Sequence, residues 1–478
     1  MKKRTIKKMK RLISLVAAIL ISATATFATE YGKYYQNLPV KMQQPAIPEI
    51  SEYSVNIKDF GGVGDGLTLN TVAFEKAIKA LDNKGGGHLV VSEGIWLTGL
   101  ISLKDNIDLH LEKNAILMAT PDRMQHFKVK DGVRENKCTP LISASKRKNI
   151  SITGEGIIDG NGAFWRPVKR SKVSDVEWKE FLAMGGTEKE NGKLWFPFNL
   201  KNYENIAATP EAQESMRTHL VRLTDCDRVL VSGVTIQNSP KFHLIPTRCT
   251  NVVVDGVTIR CPWNAQNGDA LDISCCRNVL LVNNTIDAGD DGICMKGGAG
   301  KKAAPDGPCE NILIQDNTVF HAHGGFVIGS EYSNGMKNIV VRHNRFSGTD
   351  TGLRFKSGIG RGGKCENVFI SDIVMTDIKG EAIVFECSYA DKKYSVNEDN
   401  GNVSIPKNAE CVPEWSDIHI SNIVCRGAKT AVSAHGLPGY DCLKNITVSN
   451  STFFYTQKDK DIDAGADVKL TNCKFATF

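Results

Sequence analysis

Much that would place this 478-residue chain in a familiar class is missing from it. Beyond residue 30, no segment is both free of charge and as long as the about 20 residues that a spanning helix needs, so no membrane span is expected. Fourteen cysteines are present, yet none forms a CxxC pair of the structural zinc type. No lipobox cysteine follows the basic, apolar start. The glycine-rich phrase Asp59-Phe60-Gly61-Gly62-Val63-Gly64-Asp65-Gly66 is not followed by Lys-Ser/Thr and lacks dinucleotide spacing, so it predicts a tight turn rather than a phosphate cradle.

What is present begins with Lys2, Lys3, Arg4, Lys7, Lys8, Lys10 and Arg11 ahead of the apolar run Leu12 to Ile21. That order reads as an export signal over residues 1–28, cut after Ala25 or Ala28, and implies a periplasmic or secreted protein. Removing those seven cations leaves 52 basic against 53 acidic residues, and the formal charge moves from +6 to −1. Nucleic acid is therefore not an expected partner, and any polyanion must be held by a local group of cations. A monomer is expected. Export permits disulfides, but Cys226, Cys261, Cys275, Cys276, Cys294 and Cys425 lie in apolar, strand-like runs and read as small buried hydrophobes. Cys387 and Cys411, flanking a polar loop, form the one expected bridge.

A short phrase recurs ten times: a polar anchor, apolar residues one and three positions on, Gly/Asn/Asp/His at five, and an apolar residue at eight. Its anchors are Asn149, Arg228, Asn251, Asn278, Asn311, Asn338, Asn367, Asp417, Asn445 and Asp467. Triplets such as Val252, Val254 and Ile259, or Val279, Leu281 and Ile286, alternate as strands with one buried face do. The fifth positions, among them Gly233, Gly256, Asn283 and Asp316, suit a turn or left-handed backbone. From Arg228 onward the anchors are 23, 27, 33, 27, 29, 50, 28 and 22 residues apart, too short for separate domains. The reading is an all-β solenoid, a parallel β-helix, in which each coil buries its triplet on the next.

The division expected is an N-terminal extension over 29–54 and a single β-helix domain over 55–478. Phe74, Ala77, Ile78 and Leu81 share one helical face and predict a helix that caps the open end. A long inserted region, 161–217, interrupts the repeat with Trp165, Trp178, Trp195, Phe196 and Phe198 among many charges.

Four charged clusters fall near one phase of successive coils: Asn267-Gly268-Asp269, Asp290-Asp291, His323-Gly324 and Arg354-Phe355-Lys356. Strands of neighbouring coils are about 4.8 Å apart, so the clusters converge. Three carboxylates brought together repel one another and raise at least one pKa, the condition a general acid needs. A glycosidase uses one protonated and one ionised carboxyl. Arg354 and Lys356 alternate along a strand and therefore share a face, where a bidentate guanidinium and an ammonium suit a sugar carboxylate.

Asn267-Gly268-Asp269, Gly289-Asp290-Asp291, His323-Gly324 and Arg354-Phe355-Lys356, in that order, resemble the four motifs of the polygalacturonase family of glycoside hydrolases. The resemblance runs from about Val55 to the C-terminus, with Gly268, Ala322 and Phe355 where threonine, glycine and isoleucine are usual. It implies a right-handed parallel β-helix, hydrolysis of α-linked galacturonic acid in pectic polysaccharide with inversion, and no metal or organic cofactor. It also implies Asp290 as general acid and Asp269 and Asp291 as the residues that position and deprotonate water. His323 would support the acid, while Asn267, Arg354 and Lys356 would bind substrate. His321 would share the face of His323 in a regular strand, and the choice between them rests on the family pattern.

The alternatives are a rhamnogalacturonan-type galacturonide hydrolase, a lyase on the same scaffold, and a non-catalytic polysaccharide-binding β-helix. The insertion stands just before the coils that carry Asp269 and Asp290. Loops there can wall off one end of a cleft, which leans the reading toward attack from a chain end. Trp165 and Trp195 are candidates to stack on sugar rings.

Overall fold

The structure, a computed structural model, describes residues 31–130, 132–197, 214, 216–389 and 408–478. The expected export signal and Phe198 lie outside the described residues. Thirty-two strands join in one continuous parallel ladder. Away from the two ends of the ladder, strands pair with their equivalents one coil before and one coil after. Thr250–Asp255, for example, lies between Asp227–Ser232 and Arg277–Val282. This is the parallel β-helix that the repeat predicts.

The apolar triplets point inward. Val252, Val254, Ile259, Val279, Leu281 and Ile286 are all fully buried in one column that runs from Ile57 to Phe453. The fifth positions adopt left-handed backbone, from Gly233 (φ 76°) and Gly256 (φ 64°) to Asn283 (φ 58°) and Asp316 (φ 57°). So do nine of the ten anchors, Asn149 to Asn445. Asparagine reaches that region at low cost because its short amide bonds locally. The anchor amides then stack: Asn278 Nδ2 donates to Asn251 Oδ1 at 3.3 Å, Asn311 to Asn278 at 3.2 Å and Asn338 to Asn311 at 3.1 Å. A second, buried ladder links Asn284, Asn317 and Asn344 at 2.8 and 2.9 Å.

The helix Thr71–Asn83 closes the first coils with Ala73, Phe74, Ala77, Ile78 and Leu81 buried. The glycine-rich phrase is a turn: a Cβ on Gly62 or Gly64 would meet the Trp96 ring at 3.0 Å. Residues 31–47 strap the outside of the column. Tyr31 and Tyr34 cover Val253, Leu280, Leu313 and Val340, and Arg342 donates to the Tyr34 carbonyl at 2.9 Å.

Two expectations are corrected. Cys387 and Cys411 are both free thiols; Cys387 is fully buried in the column, where the Cys442 thiol is its hydrogen-bonding neighbour. Trp165 and Trp195 are 1% and 4% exposed, so neither offers a face to a sugar. Trp165 packs edge-on to His126, and Trp195 joins Val168 and Trp178 in a small core. The insertion is thus organised locally, with Val168–Lys169, Leu194–Phe196 and Thr187–Lys189 in an antiparallel sheet beside the helix Asp175–Ala183.

Candidate active site

Four consecutive coil strands form the floor: Leu271–Ser274, Ile293–Lys296, Phe326–Ser330 and Leu353–Ser357. Their registers set Leu271, Ile293, Phe326 and Leu353 in one row. Asp269 and Asp291 each stand two residues before that row, and Asp290 and His323 three. Equal phase has become adjacency, as the sequence clusters require. A cleft of about 570 Å³ lies over this floor, with Asn267, Asp269, Asp290, Asp291, Lys356 and Tyr389 among its lining residues.

Asp290 is the reachable carboxyl, with a 16% exposed side chain. Its Oδ1 accepts the Asp291 backbone N–H at 3.0 Å and lies 3.0 Å from His323 Nδ1. His321 turns elsewhere, to Asp287 at 3.0 Å, so geometry separates the two histidines. Asp291 is buried between cations: its Oδ2 accepts from Lys356 Nζ at 2.6 Å and its Oδ1 is 3.6 Å from Arg354. Burial alone would raise its pKa, but Lys356, Lys296 and Arg354 overcome it and hold the carboxyl well below the usual range. Asp269 goes the other way. Burial first, then the neighbouring Asp272, Asp290 and Asp291, raise it well above an ordinary carboxyl. Neighbouring carboxyls are thus driven in opposite directions, Asp291 toward the ionised form and Asp269 toward the protonated one.

The structure therefore brings together Asn267, Asp269, Asp290, Asp291, His323, Arg354 and Lys356. Arg354 and Lys356 do share the outward face, with Phe355 turned inward to stack on Phe385 at 4.2 Å. The unusual Phe355 is thus a matter of core packing. Lys356, only 6% exposed, meets Asp291 rather than open cleft, which leaves Arg354 the more available cation. Asp290, Asp291 and His323 hold their ligand-type atoms within 4.8 Å of one another. Because Asp291 is already paired with Lys356 and His323 with Asp290, this cluster is suited to proton transfer.

Several side chains in and around the cleft escaped the sequence reading. Asp272 and Lys296 line the same cleft, on the outward positions of strands whose alternation was followed only for Arg354-Phe355-Lys356. The other two come from the insertion. Arg217, buried, donates to Asn267 Oδ1 at 2.8 Å and to the Gln266 carbonyl at 2.7 Å, fixing Asn267 in its left-handed conformation (φ 53°). Lys172 reaches the Gly289 carbonyl at 3.1 Å and His323 Nε2 at 3.3 Å.

Asp272 carries a consequence for stability. It is 2% exposed, and its Oδ1 has no partner among the described residues. Burial pushes it up from 3.8 to about 6, with Lys296 opposing and Asp291 and Asp290 adding. A carboxyl whose folded pKa is raised binds protons more tightly in the folded state, so stability falls as pH rises from about 4 to about 6 and is level above. Asp272→Asn removes that loss. Its melting temperature should match wild type near pH 4 and exceed it above pH 6; equal melting at both pH values in a thermal scan would refute the burden placed on Asp272.

Among known proteins, the sequence profile described as "Glycosyl hydrolases family 28" matches residues 100–473. An exo-poly-alpha-D-galacturonosidase of Dickeya chrysanthemi is 30% identical over 425 residues, covering 85% of this chain and 67% of its own. A probable polygalacturonase of Vitis vinifera is 25% identical over 461 residues, covering 94% and 84%. The crystal structure of a hyperthermoactive exopolygalacturonase from Thermotoga maritima superposes with a TM-score of 0.70 at 28% identity, covering 90% of this chain and 94% of that one. With four motifs in register on a right-handed parallel β-helix, this chain belongs to family 28 of the glycosyl hydrolases, the polygalacturonase family.

Proposed function

We propose that this glycosidase hydrolyses α-linked galacturonic acid in pectic polysaccharide, with inversion, from a chain end. The observation that carries the reading is the split among the carboxyls: Asp291 is held ionised by Lys356 and Arg354, while Asp290 faces the cleft on His323. Asp290 gives its proton to the glycosidic oxygen, which departs with the electrons of its bond to the sugar carbon. Water attacks that carbon from the opposite face and loses a proton to Asp291, with Asp269 beside it as a second contact for the water. Asn267 and Arg354 grip the sugar, Arg354 through its carboxylate, and Lys356 acts chiefly by keeping Asp291 ionised.

Attack at an end is supported by two features. The Dickeya and Thermotoga relatives are both named as exo-acting enzymes. In this chain the insertion reaches the acid's surroundings through Lys172, and the cleft continues to His219, Arg222 and Phe242. Burial, with Arg222, Lys241 and Arg217 nearby, pushes His219 down to about 3. His219 therefore stays neutral and leaves Arg222 as a cation for a terminal uronate. The same reading has the protein exported by residues 1–28 and acting as a monomer outside the cytoplasm; among the described residues no helix is long and apolar enough to cross a membrane.

Digestion of purified homogalacturonan and rhamnogalacturonan, with product lengths followed over time, tests this. Monomeric galacturonate from homogalacturonan at the earliest times is the expected result. Mixed oligomers would defeat end attack, products with the ultraviolet absorbance of an unsaturated sugar would mean a lyase, and cleavage of rhamnogalacturonan alone would change the substrate. No new reducing ends from either polymer would leave a binding protein.

A further inference from the structure

The insertion delivers a charge to the reacting pair that none of the family motifs contains. We propose that Lys172, in the helical turn Arg170–Lys172, is a positioning residue that fixes the tautomer of His323 and thereby dictates which oxygen of Asp290 carries the acid proton. The inference rests on Asp290 being the acid.

Lys172 Nζ stands 3.3 Å from His323 Nε2 and 3.1 Å from the Gly289 carbonyl. An ammonium has three donors and no acceptor. The nitrogen facing it must therefore present a lone pair, and in a neutral ring the proton then sits on Nδ1, 3.0 Å from Asp290 Oδ1. The same Oδ1 accepts the backbone N–H of Asp291 at 3.0 Å. An oxygen met by two N–H groups has no room for a hydrogen of its own, so the acid proton rides on Oδ2. In the reaction the Oδ2–H bond breaks, an O–H bond forms on the glycosidic oxygen, and that oxygen leaves with the electron pair of its bond to carbon. His323 keeps its single proton throughout. An imidazolium in its place would favour the Asp290 carboxylate and drain the acid.

The other charges around His323 explain why such a device is needed. Asp350 Oδ2 is 3.8 Å from Nε2 and would stabilise a proton there, although Lys379 pairs with Asp350 at 3.2 Å. Arg354 follows on the next coil, against Gly324, and Lys169 lies near Lys172. Burial lowers the Lys172 pKa, while Asp290 and Asp350 favour its charged form. Lys172 thus outcompetes Asp350 for Nε2 and sets the ring one way round.

Nitrogen-15 NMR of histidine-labelled protein reads the tautomer directly. Wild type at the pH of maximal activity should show His323 as a neutral ring protonated on Nδ1. A ring protonated on Nε2, or an imidazolium, would overturn the proposal whatever Asp290 does, and Asp290→Asn kinetics separately test the acid. In Lys172→Met, Nε2 is free to take a proton against Asp350, so the Nδ1-only signature should be lost and kcat should drop at least about tenfold, part of the roughly 100- to 10,000-fold that a positioned acid contributes, with KM little changed. Lys172→Arg, which keeps a donor, should restore the signature and much of kcat. Unaltered histidine signals in a folded Lys172→Met protein would reduce Lys172 to a wall of the cleft.

Discussion

Asp290→Asn is expected to turn over roughly 100- to 10,000-fold more slowly than wild type or worse, the scale that a single general acid supplies, while melting close to wild type. The amide keeps the shape of the carboxyl and still accepts the Asp291 N–H at Oδ1, but it has no acidic proton to give. Asp291→Asn should lose turnover on the same scale by a different route. It removes the ionised partner of Lys356 at 2.6 Å and leaves a buried ammonium without that ion pair, so a fall in melting temperature should accompany the kinetic loss. Initial rates of reducing-end release and thermal melts on the two variants check both halves. Near-normal turnover in either would remove that residue from the chemistry, and an Asp291→Asn protein as stable as wild type would mean that Lys356 does not depend on Asp291.

That asymmetry between two adjacent aspartates was not legible in the sequence, for a definite reason. The recurring phrase assigns each residue a phase and a face, so it brought Asp269, Asp290, Asp291 and His323 onto one side and turned Arg354 and Lys356 outward. It carries no information on how deep a side chain lies. Lys356 and Asp291 are buried against each other, a property of two coils seen together. Lys172 and Arg217 were out of reach altogether, because the insertion has no repeat and hence no phase that would relate it to the coils. The strand alternation, by contrast, held the signal for Asp272 and Lys296: Asp272 is in register with Cys294, and Ser274 with Lys296. The same alternation misled on the outer face. Val253 and Leu280 point away from the column yet are fully buried, because Tyr31 and Tyr34 lie over them.

The inward face itself makes the strongest claim on stability. Val254 has Val231 and Leu281 as neighbours in the adjacent coils, and Ile286 has Ile259 and Val319; all six are fully buried in the column. An aspartate at 254 or 286 forfeits roughly 2 kcal/mol of apolar burial and places a carboxylate among the buried apolar side chains of the column, which costs several kcal/mol more even after the group neutralises. A domain's whole reserve is about 5–15 kcal/mol. The damage also spreads, because each coil is the template on which the next is stacked. Val254→Asp and Ile286→Asp should therefore yield little or no soluble protein. The control uses the same substitution on the other face: Val424 is 42% exposed, so Val424→Asp should express normally and melt within a few degrees of wild type. Soluble yield and thermal melting of the three variants decide the matter. If Val254→Asp or Ile286→Asp behaves like Val424→Asp, the buried column does not hold the coils together as its packing implies.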